Sequence, residues 1–130
     1  MPTEPVTEPE VLVVEDNPAN QMLLQFTLTA HGYRVTVAGS AEEAATVLGA
    51  KRPDLILMDI QLPGEDGLTF TRQLKANPEL AAIPVVALTA HAMSGDRELC
   101  MAAGCAGYLT KPIDTRTLAG DLRRYLTTNA

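Results

Sequence analysis

The chain has 130 residues, of which 46% are hydrophobic, 20% charged and 4% aromatic, values typical of one soluble globular domain. Its formal net charge of −6 disfavours nucleic acid and anionic lipid as partners. No apolar run approaches the roughly 20 residues that span a bilayer, and residues 1–10 lack the pattern of a secretory signal, so we expect a cytoplasmic protein with no membrane partner.

A leader, a domain and a tail are predicted from the distribution of proline and apolar residues. Residues 1–10 contain three of the nine prolines and three glutamates, which is typical of a flexible segment. A regular pattern then runs without a linker or repeat to residue 126. We therefore predict a leader over residues 1–10, one domain over 11–127 and a short tail over 128–130.

Five short apolar runs alternate with segments that carry helix signals. The runs are predicted to be strands at Val11–Val14, Tyr33–Ala38, Leu55–Asp59, Pro84–Thr89 and Gly107–Thr110. The third and fourth runs are apolar without alternation, which is typical of strands buried on both faces. Strands that alternate with helices predict an α/β fold with a doubly wound parallel sheet.

Capping residues mark the predicted helices. Asn17 and Pro18 suit the N-cap and first position of the first helix, and Gly32 suits its end. Ser40 and Glu43 have the spacing of a capping box for the second helix. The later helices are predicted at about Gly67–Lys75, Ser94–Gly104 and Thr115–Leu126, and the residues expected to fill the core include Met22, Met58 and Met101.

Polar side chains stand where the predicted strands end. Because the carboxyl ends of parallel strands meet at one edge of a sheet, we expect these side chains to converge. Three carboxylates placed together repel one another unless a cation neutralises them, and an all-oxygen set suits Mg²⁺. A carboxylate near Mg²⁺ is a competent nucleophile toward phosphorus, and an ammonium and a hydroxyl can stabilise the transferring phosphoryl group. The residues concerned are Glu15, Asp16, Asp59, Thr89 and Lys111.

Four motifs carry a resemblance to a known family. They are VLVVEDN (Val11–Asn17), LILMDIQLPGEDG (Leu55–Gly67), VVALTAHAM (Val85–Met93) and GCAGYLTKPI (Gly104–Ile113). With these motifs in this order, residues 11–126 resemble the receiver domain of two-component response regulators, the chemotaxis-regulator-like family. The resemblance implies a flavodoxin-like fold with strand order 2-1-3-4-5.

The resemblance also implies a set of site residues. Asp59 is the implied phosphoacceptor, and Glu15 and Asp16 are the acidic pair that holds Mg²⁺, with the backbone carbonyl of Gln61 completing the metal shell. The pair is Glu-Asp here, whereas Asp-Asp is the commoner form.

Further implied roles concern signalling. Lys111 pairs with the phosphoryl group, the Lys111–Pro112 peptide bond is expected in cis, and Thr89 and Tyr108 form the switch. The implied phosphoryl donor is a sensor histidine kinase or a histidine phosphotransfer protein. A downstream protein target would dock on the fourth helix, the fifth strand and the last helix.

Alternative assignments are a receiver module excised from a hybrid histidine kinase, and an aspartyl-phosphate phosphohydrolase. The start at Met1 and the short tail favour a stand-alone regulator over the excised module. Phosphohydrolases of the haloacid-dehalogenase type need a second acid two residues after the nucleophile, and that position is Gln61. We therefore expect no enzyme in the ordinary sense, only a domain that catalyses its own phosphorylation and dephosphorylation.

Overall fold

The computed structural model describes residues 8–62, 67–90 and 94–127. Residues 1–7 of the predicted leader and the predicted tail over 128–130 lie outside the described residues. Within the described ranges, strands and helices alternate in the order β1 (Glu10–Val14), α1 (Pro18–Ala30), β2 (Arg34–Ala38), α2 (Ala41–Ala50), β3 (Leu55–Asp59), α3 (Gly67–Ala76), β4 (Val85–Thr89), α4 (Ser94–Ala103), β5 (Gly107–Thr110) and α5 (Leu118–Thr127).

The five strands form one parallel sheet in the order β2-β1-β3-β4-β5, which confirms the predicted fold. In the register between neighbouring strands, Val14 pairs with Met58, Asp59 with Leu88 and Thr89 with Thr110. The carboxyl ends of β1, β3, β4 and β5 therefore lie at one edge of the sheet.

Two apolar layers cover the sheet, one on each face. Alternate strand residues contribute to each layer, because successive side chains of a strand point to opposite faces. One layer contains Leu24 and Leu28 of α1 and Leu118 and Leu122 of α5. The other contains residues of α2, α3 and α4, including Phe70, Leu74 and Cys100.

The methionine prediction is only partly right. Met58 is fully buried in β3, as expected, but Met22 is 71% exposed and Met101 is 47% exposed. On α1, the sheet packs against Leu24 and Leu28, so Met22 faces away from the core together with Phe26, which is 77% exposed. The exposed apolar face of α1 formed by Met22, Leu23 and Phe26 is called the α1 patch below.

Several element boundaries differ from the prediction, and those of β1 and α5 have a cause in the structure. β1 begins at Glu10, which the sequence placed in the leader, because the Glu10 N–H donates to the Asp54 carboxylate at 2.8 Å and Glu10 pairs with Arg34. α5 begins at Leu118, not near Thr115, because residues 115–117 form a turn. In that turn the Asp114 carboxylate accepts the Arg116 N–H at 2.9 Å.

The predicted caps are present at the first two helices. The Asn17 side chain accepts the Asn20 N–H at 3.1 Å, and the Ser40 hydroxyl accepts the Glu43 N–H at 3.1 Å. The Glu43 carboxylate reaches back to the Gly39 N–H instead of the Ser40 N–H of a standard capping box. The first cap fixes the start of α1 directly behind the Glu15–Asp16 loop.

No helix in the described parts of the chain has the length and apolar character needed to cross a membrane.

Candidate functional site

Asp59 lies at the centre of the rim formed by the strand ends. It is the last residue of β3 and is 2% exposed. Its Oδ1 accepts the Gln61 backbone N–H at 2.9 Å, and its Oδ2 accepts the Lys111 ammonium at 2.9 Å. The residue is therefore a buried carboxylate that is held at both oxygens.

Lys111 bridges two buried carboxylates. It follows β5, and its backbone N–H donates to the Thr89 carbonyl at 2.8 Å. Its Nζ lies 2.9 Å from Asp59 Oδ2 and 3.4 Å from Glu15 Oε1. Burial alone lowers the pKa of Lys111, but the hydrogen bond and charge of Asp59 and the charge of Glu15 raise it. The ammonium therefore stays protonated and offsets part of the negative charge of the rim.

Glu15 differs from the adjacent acid, Asp16, in being almost fully buried. It follows β1 and is 1% exposed, whereas the adjacent Asp16 is exposed. Burial and the nearby charge of Asp59 raise the pKa of Glu15, against the opposing effects of the Asn17 N–H and Lys111. Its Oε2 accepts the Asn17 N–H at 3.2 Å, but its buried Oε1 accepts no hydrogen bond from the described residues.

The three acids fit a divalent cation. Glu15, Asp16 and Asp59 each place a carboxylate oxygen within 4.8 Å of the other two. The candidate ligand atoms are all oxygens, and among the described residues only the ion pair with Lys111 offsets the cost of burying Glu15 Oε1. Mg²⁺ prefers such a hard oxygen set and would neutralise the mutual repulsion of the acids.

Thr89 and Tyr108 lie on neighbouring strands and on the same face of the sheet. Thr89 ends β4 and is 1% exposed, and it pairs with Thr110, two residues beyond Tyr108. Residues two apart on a strand share a face, so Tyr108 lies on the side that carries Thr89. The half-buried Tyr108 ring packs against the apolar layer that also contains α4.

The structure thus brings Glu15, Asp16, Asp59 and Lys111 together and places Thr89 at the same rim. The Lys111–Pro112 peptide bond is cis, as predicted. The roles of Gln61, Thr89 and Tyr108 remain predictions.

Three features of the site were missed by the sequence reasoning. The Asn20 amide lies 3.4 Å from Glu15 Oε2, the Gln21 amide donates to the Glu15 carbonyl at 2.5 Å, and Gly67 packs directly against the backbone of Asp59. The available signal was the clustering of amides in the first turn of α1, immediately after two acids.

Substitution of Gly67 is expected to disturb the site through the backbone. A Cβ at Gly67 would collide with the backbone oxygen of Asp59 and would lie 2.8 Å from the Cα of Ile60. We expect Gly67→Ala to lower the free energy of unfolding by about 1–3 kcal/mol, measured by urea denaturation. The matched control is Gly120→Ala in α5, where a Cβ meets nothing within 4 Å. There a gain of about 0.5–1 kcal/mol is expected, and equal effects of the two variants would contradict the interpretation.

Comparison with curated proteins finds relatives among regulators of bacterial signalling. The chain is 43% identical over 116 residues to the polar-differentiation response regulator DivK of Brucella anthropi, an alignment that covers 89% of this chain and 94% of that protein.

Solved structures show the same architecture. The receiver domain of a sensor histidine kinase from Pseudomonas aeruginosa PAO1, which has a magnesium ion coordinated in its active site cleft, is 41% identical with a TM-score of 0.84, over 92% of this chain and 98% of that one. The signal receiver domain of a histidine kinase from Syntrophus aciditrophicus is 34% identical with a TM-score of 0.85, over 92% of this chain and 91% of that one.

The family assignment follows from these matches together with the rim of acids and lysine. The sequence family model described as the response regulator receiver domain matches residues 11–123, which is nearly all of the predicted domain. The chain belongs to the response regulator receiver domain family of two-component systems.

Proposed function

We propose that the chain is a phosphoacceptor that takes a phosphoryl group on Asp59 in the presence of Mg²⁺. The observation that carries the proposal is the buried Asp59 carboxylate, paired with Lys111 at 2.9 Å beside a buried Glu15 oxygen that accepts no hydrogen bond from residues 8–62, 67–90 and 94–127. Glu15, Asp16 and Asp59 would hold the ion, with the Gln61 carbonyl as a further ligand. When bound, Mg²⁺ neutralises the carboxylates and the charge that develops on the phosphoryl oxygens.

The chemical step is a transfer to a carboxylate oxygen. An Asp59 oxygen attacks phosphorus, the bond from phosphorus to the donor breaks, and the electron pair of that bond leaves with the donor group. The donor is a phosphohistidine of a kinase or phosphotransfer protein, from which the histidine imidazole leaves, or acetyl phosphate, from which acetate leaves. Lys111 would move its contact from Asp59 Oδ2 to the phosphoryl oxygens, and the Thr89 hydroxyl would donate a hydrogen bond to them.

The proposal is tested by intact-mass measurement of the chain after incubation with acetyl phosphate. One phosphoryl adduct is expected with Mg²⁺ and none with EDTA. An adduct that forms equally well in EDTA would contradict the proposed role of the acids.

The α1 patch is proposed as the docking surface of the protein donor. α1 begins two residues after Asp16, and its exposed Met22 and Phe26 lie about one and two turns along the helix from the end that adjoins the rim. A contiguous exposed apolar face beside a reactive site is typical of a protein interface. The proposed partner is a helix that carries the phosphohistidine, because the exposed apolar side chains of α1 can pack against the apolar face of another helix.

Replacement of Phe26 separates docking from chemistry. Since Phe26 is 77% exposed, we expect Phe26→Ser to leave the fold and acetyl phosphate labelling intact. Transfer from a histidine phosphotransfer protein that labels the unmodified chain should fall by about tenfold or more, the loss expected for an aromatic anchor. Leu99→Ser is the control, because Leu99 is 52% exposed on α4 and should not affect the donor. Equal transfer to both variants would contradict the assignment.

The switch is proposed to connect Asp59 to the surface formed by α4, β5 and α5. A phosphoryl group at Asp59 would draw the Thr89 hydroxyl toward it and free space on the shared face of β4 and β5, into which Tyr108 can turn. Such a pair is a two-state element that the phosphoryl group biases by its contacts. The surface that changes would be the one that a downstream protein target reads.

A titration with beryllofluoride and Mg²⁺, followed by amide NMR, tests this coupling. We expect shifts in α4, β5 and α5 as well as at the rim, and loss of the distant shifts in Thr89→Ala. Shifts confined to the loops around Asp16, Asp59 and Lys111 would show that the switch is not coupled in this way.

A further inference from the structure

The first acid of the site is a glutamate, which has one more rotatable bond than an aspartate in the same place. A long flexible side chain loses more rotamer entropy when it is fixed than a short one does. An ion site that uses Glu15 therefore needs a restraint on that carboxylate. The contacts of α1 provide one.

The two oxygens of Glu15 have different surroundings. Oε2 accepts the Asn17 backbone N–H at 3.2 Å, and the side-chain amide of Asn20 lies 3.4 Å from it. Oε1 instead lies 3.4 Å from Lys111 Nζ, on the side of Asp59. The amide groups therefore engage one oxygen and leave the other directed toward the shared space of the acids.

Asn20 is itself held in place. Its backbone N–H donates to the Asn17 side chain at 3.1 Å, and Asn20 is half-buried in the first turn of α1. The next residue, Gln21, donates from its side-chain amide to the Glu15 backbone carbonyl at 2.5 Å. Two consecutive residues of α1 thus hold the side chain and the backbone of Glu15.

We propose that Asn20 is a positioning residue for the metal site, which acts through Glu15 and does not touch the ion. This inference rests on the proposed function, because it assigns a part of the Mg²⁺ affinity to Asn20. Groups that orient a metal-ligating carboxylate by hydrogen bonding commonly change metal affinity by 10- to 100-fold when they are removed. Because the contact between the Asn20 amide and Glu15 is long, at 3.4 Å, we expect removal of Asn20 to weaken metal affinity by an amount at the lower end of that range.

Mg²⁺ binding measured by calorimetry tests the proposal on the unmodified chain and its variants. Asn20→Ala in the full chain is expected to weaken Mg²⁺ affinity by about tenfold, with an unchanged amide NMR spectrum outside the rim. Gln25→Ala, at an exposed position farther along α1, is the control and should bind as the unmodified chain does. Asn20→Ala is then repeated in a Glu15→Asp background. The aspartate is one methylene shorter and the contact in the unmodified chain is already 3.4 Å, so we expect the acid to fall short of the amide and the loss of affinity to be smaller.

The outcomes separate this inference from the proposed function. Unchanged affinity in Asn20→Ala would overturn the role of Asn20 alone, provided that the unmodified chain binds Mg²⁺. Equal losses with Glu15 in place and in the Glu15→Asp background would also overturn it, because a general structural effect does not depend on the length of the acid. A lack of Mg²⁺ binding by the unmodified chain would overturn the proposed function and this inference with it.

Discussion

Replacement of Asp59 by asparagine is expected to abolish phosphorylation of the chain by acetyl phosphate. The amide has the same shape, but it lacks the negatively charged oxygen that attacks phosphorus. At a donor concentration that labels the unmodified chain completely, the intact mass of Asp59→Asn should show no adduct. The loss should be complete because the neighbouring acids are proposed to hold the ion and not to attack.

The control for this variant lies at the opposite end of the same strand. Asp54 precedes β3 and is exposed, and its carboxylate accepts the Glu10 N–H at 2.8 Å. Asp54→Asn should therefore be labelled as the unmodified chain is. An adduct that persists in Asp59→Asn would place the acceptor elsewhere.

Replacement of Lys111 by alanine is expected to lower stability when Mg²⁺ is absent. The change leaves Glu15 and Asp59, which are 1% and 2% exposed, without the cation that bridges them. Removal of one partner from a buried ion pair commonly costs about 3–5 kcal/mol, and the 20% exposure of the Lys111 side chain reduces this to about 2–3 kcal/mol. Urea denaturation in EDTA measures the loss, and Mg²⁺ should restore much of it.

Lys51 provides a matched comparison for Lys111. Its Nζ lies 2.9 Å from Glu10 Oε2, the same distance as in the Lys111–Asp59 pair, but the Lys51 side chain is 48% exposed. Lys51→Ala should cost at most about 1 kcal/mol, because solvent screens an exposed pair. Similar losses of unfolding free energy in the two variants would show that burial of the acids at the rim does not determine how much the ion pair stabilises the fold.

The pH dependence of Lys111→Ala has a definite sign. Burial and the charge of Asp59 already hold the pKa of Glu15 above its ordinary value in the folded chain, and loss of Lys111 removes an opposing effect. An acid whose pKa is higher in the folded state than in the unfolded state stabilises the fold at pH values below its unfolded-state pKa. That stabilisation is lost as the pH rises through the folded-state pKa. The loss of stability in Lys111→Ala should therefore become smaller as the pH falls from neutrality toward the ordinary pKa of a glutamate.

Lys111→Arg tests the shape of the cation separately from its charge. The guanidinium retains the positive charge but is a planar fork, whereas the ammonium is a compact point charge. We expect this variant to recover stability in EDTA more fully than it recovers the amide shifts induced by beryllofluoride.

The sheet could be predicted because its sequence signals are local. Continuous apolar runs in β3 and β4 are typical of strands covered on both faces, and these strands are fully buried in the structure. The rim followed from topology, since parallel strands bring their polar end residues to one edge.

The orientation of α1 could not be predicted in the same way. Its apolar residues Met22, Leu23, Leu24, Phe26 and Leu28 surround much of the helix, so periodicity does not select one buried face. Packing on the sheet selects Leu24 and Leu28 and leaves Met22 and Phe26 exposed. The same rotation of α1 about its axis brings the Asn20 amide to Glu15. That contact depends on how the helix packs on the sheet, which the sequence spacing of the two residues does not determine.

The most direct test of the central claim locates the phosphoryl group on the chain. The protein is labelled with acetyl phosphate and Mg²⁺, the acyl phosphate is reduced with borohydride to the corresponding alcohol, and the altered residue is identified by peptide mass sequencing. We predict reduction at position 59 only, and none in a parallel sample that contains EDTA. Reduction at Glu15 or Asp16, or labelling that survives in EDTA, would contradict the account.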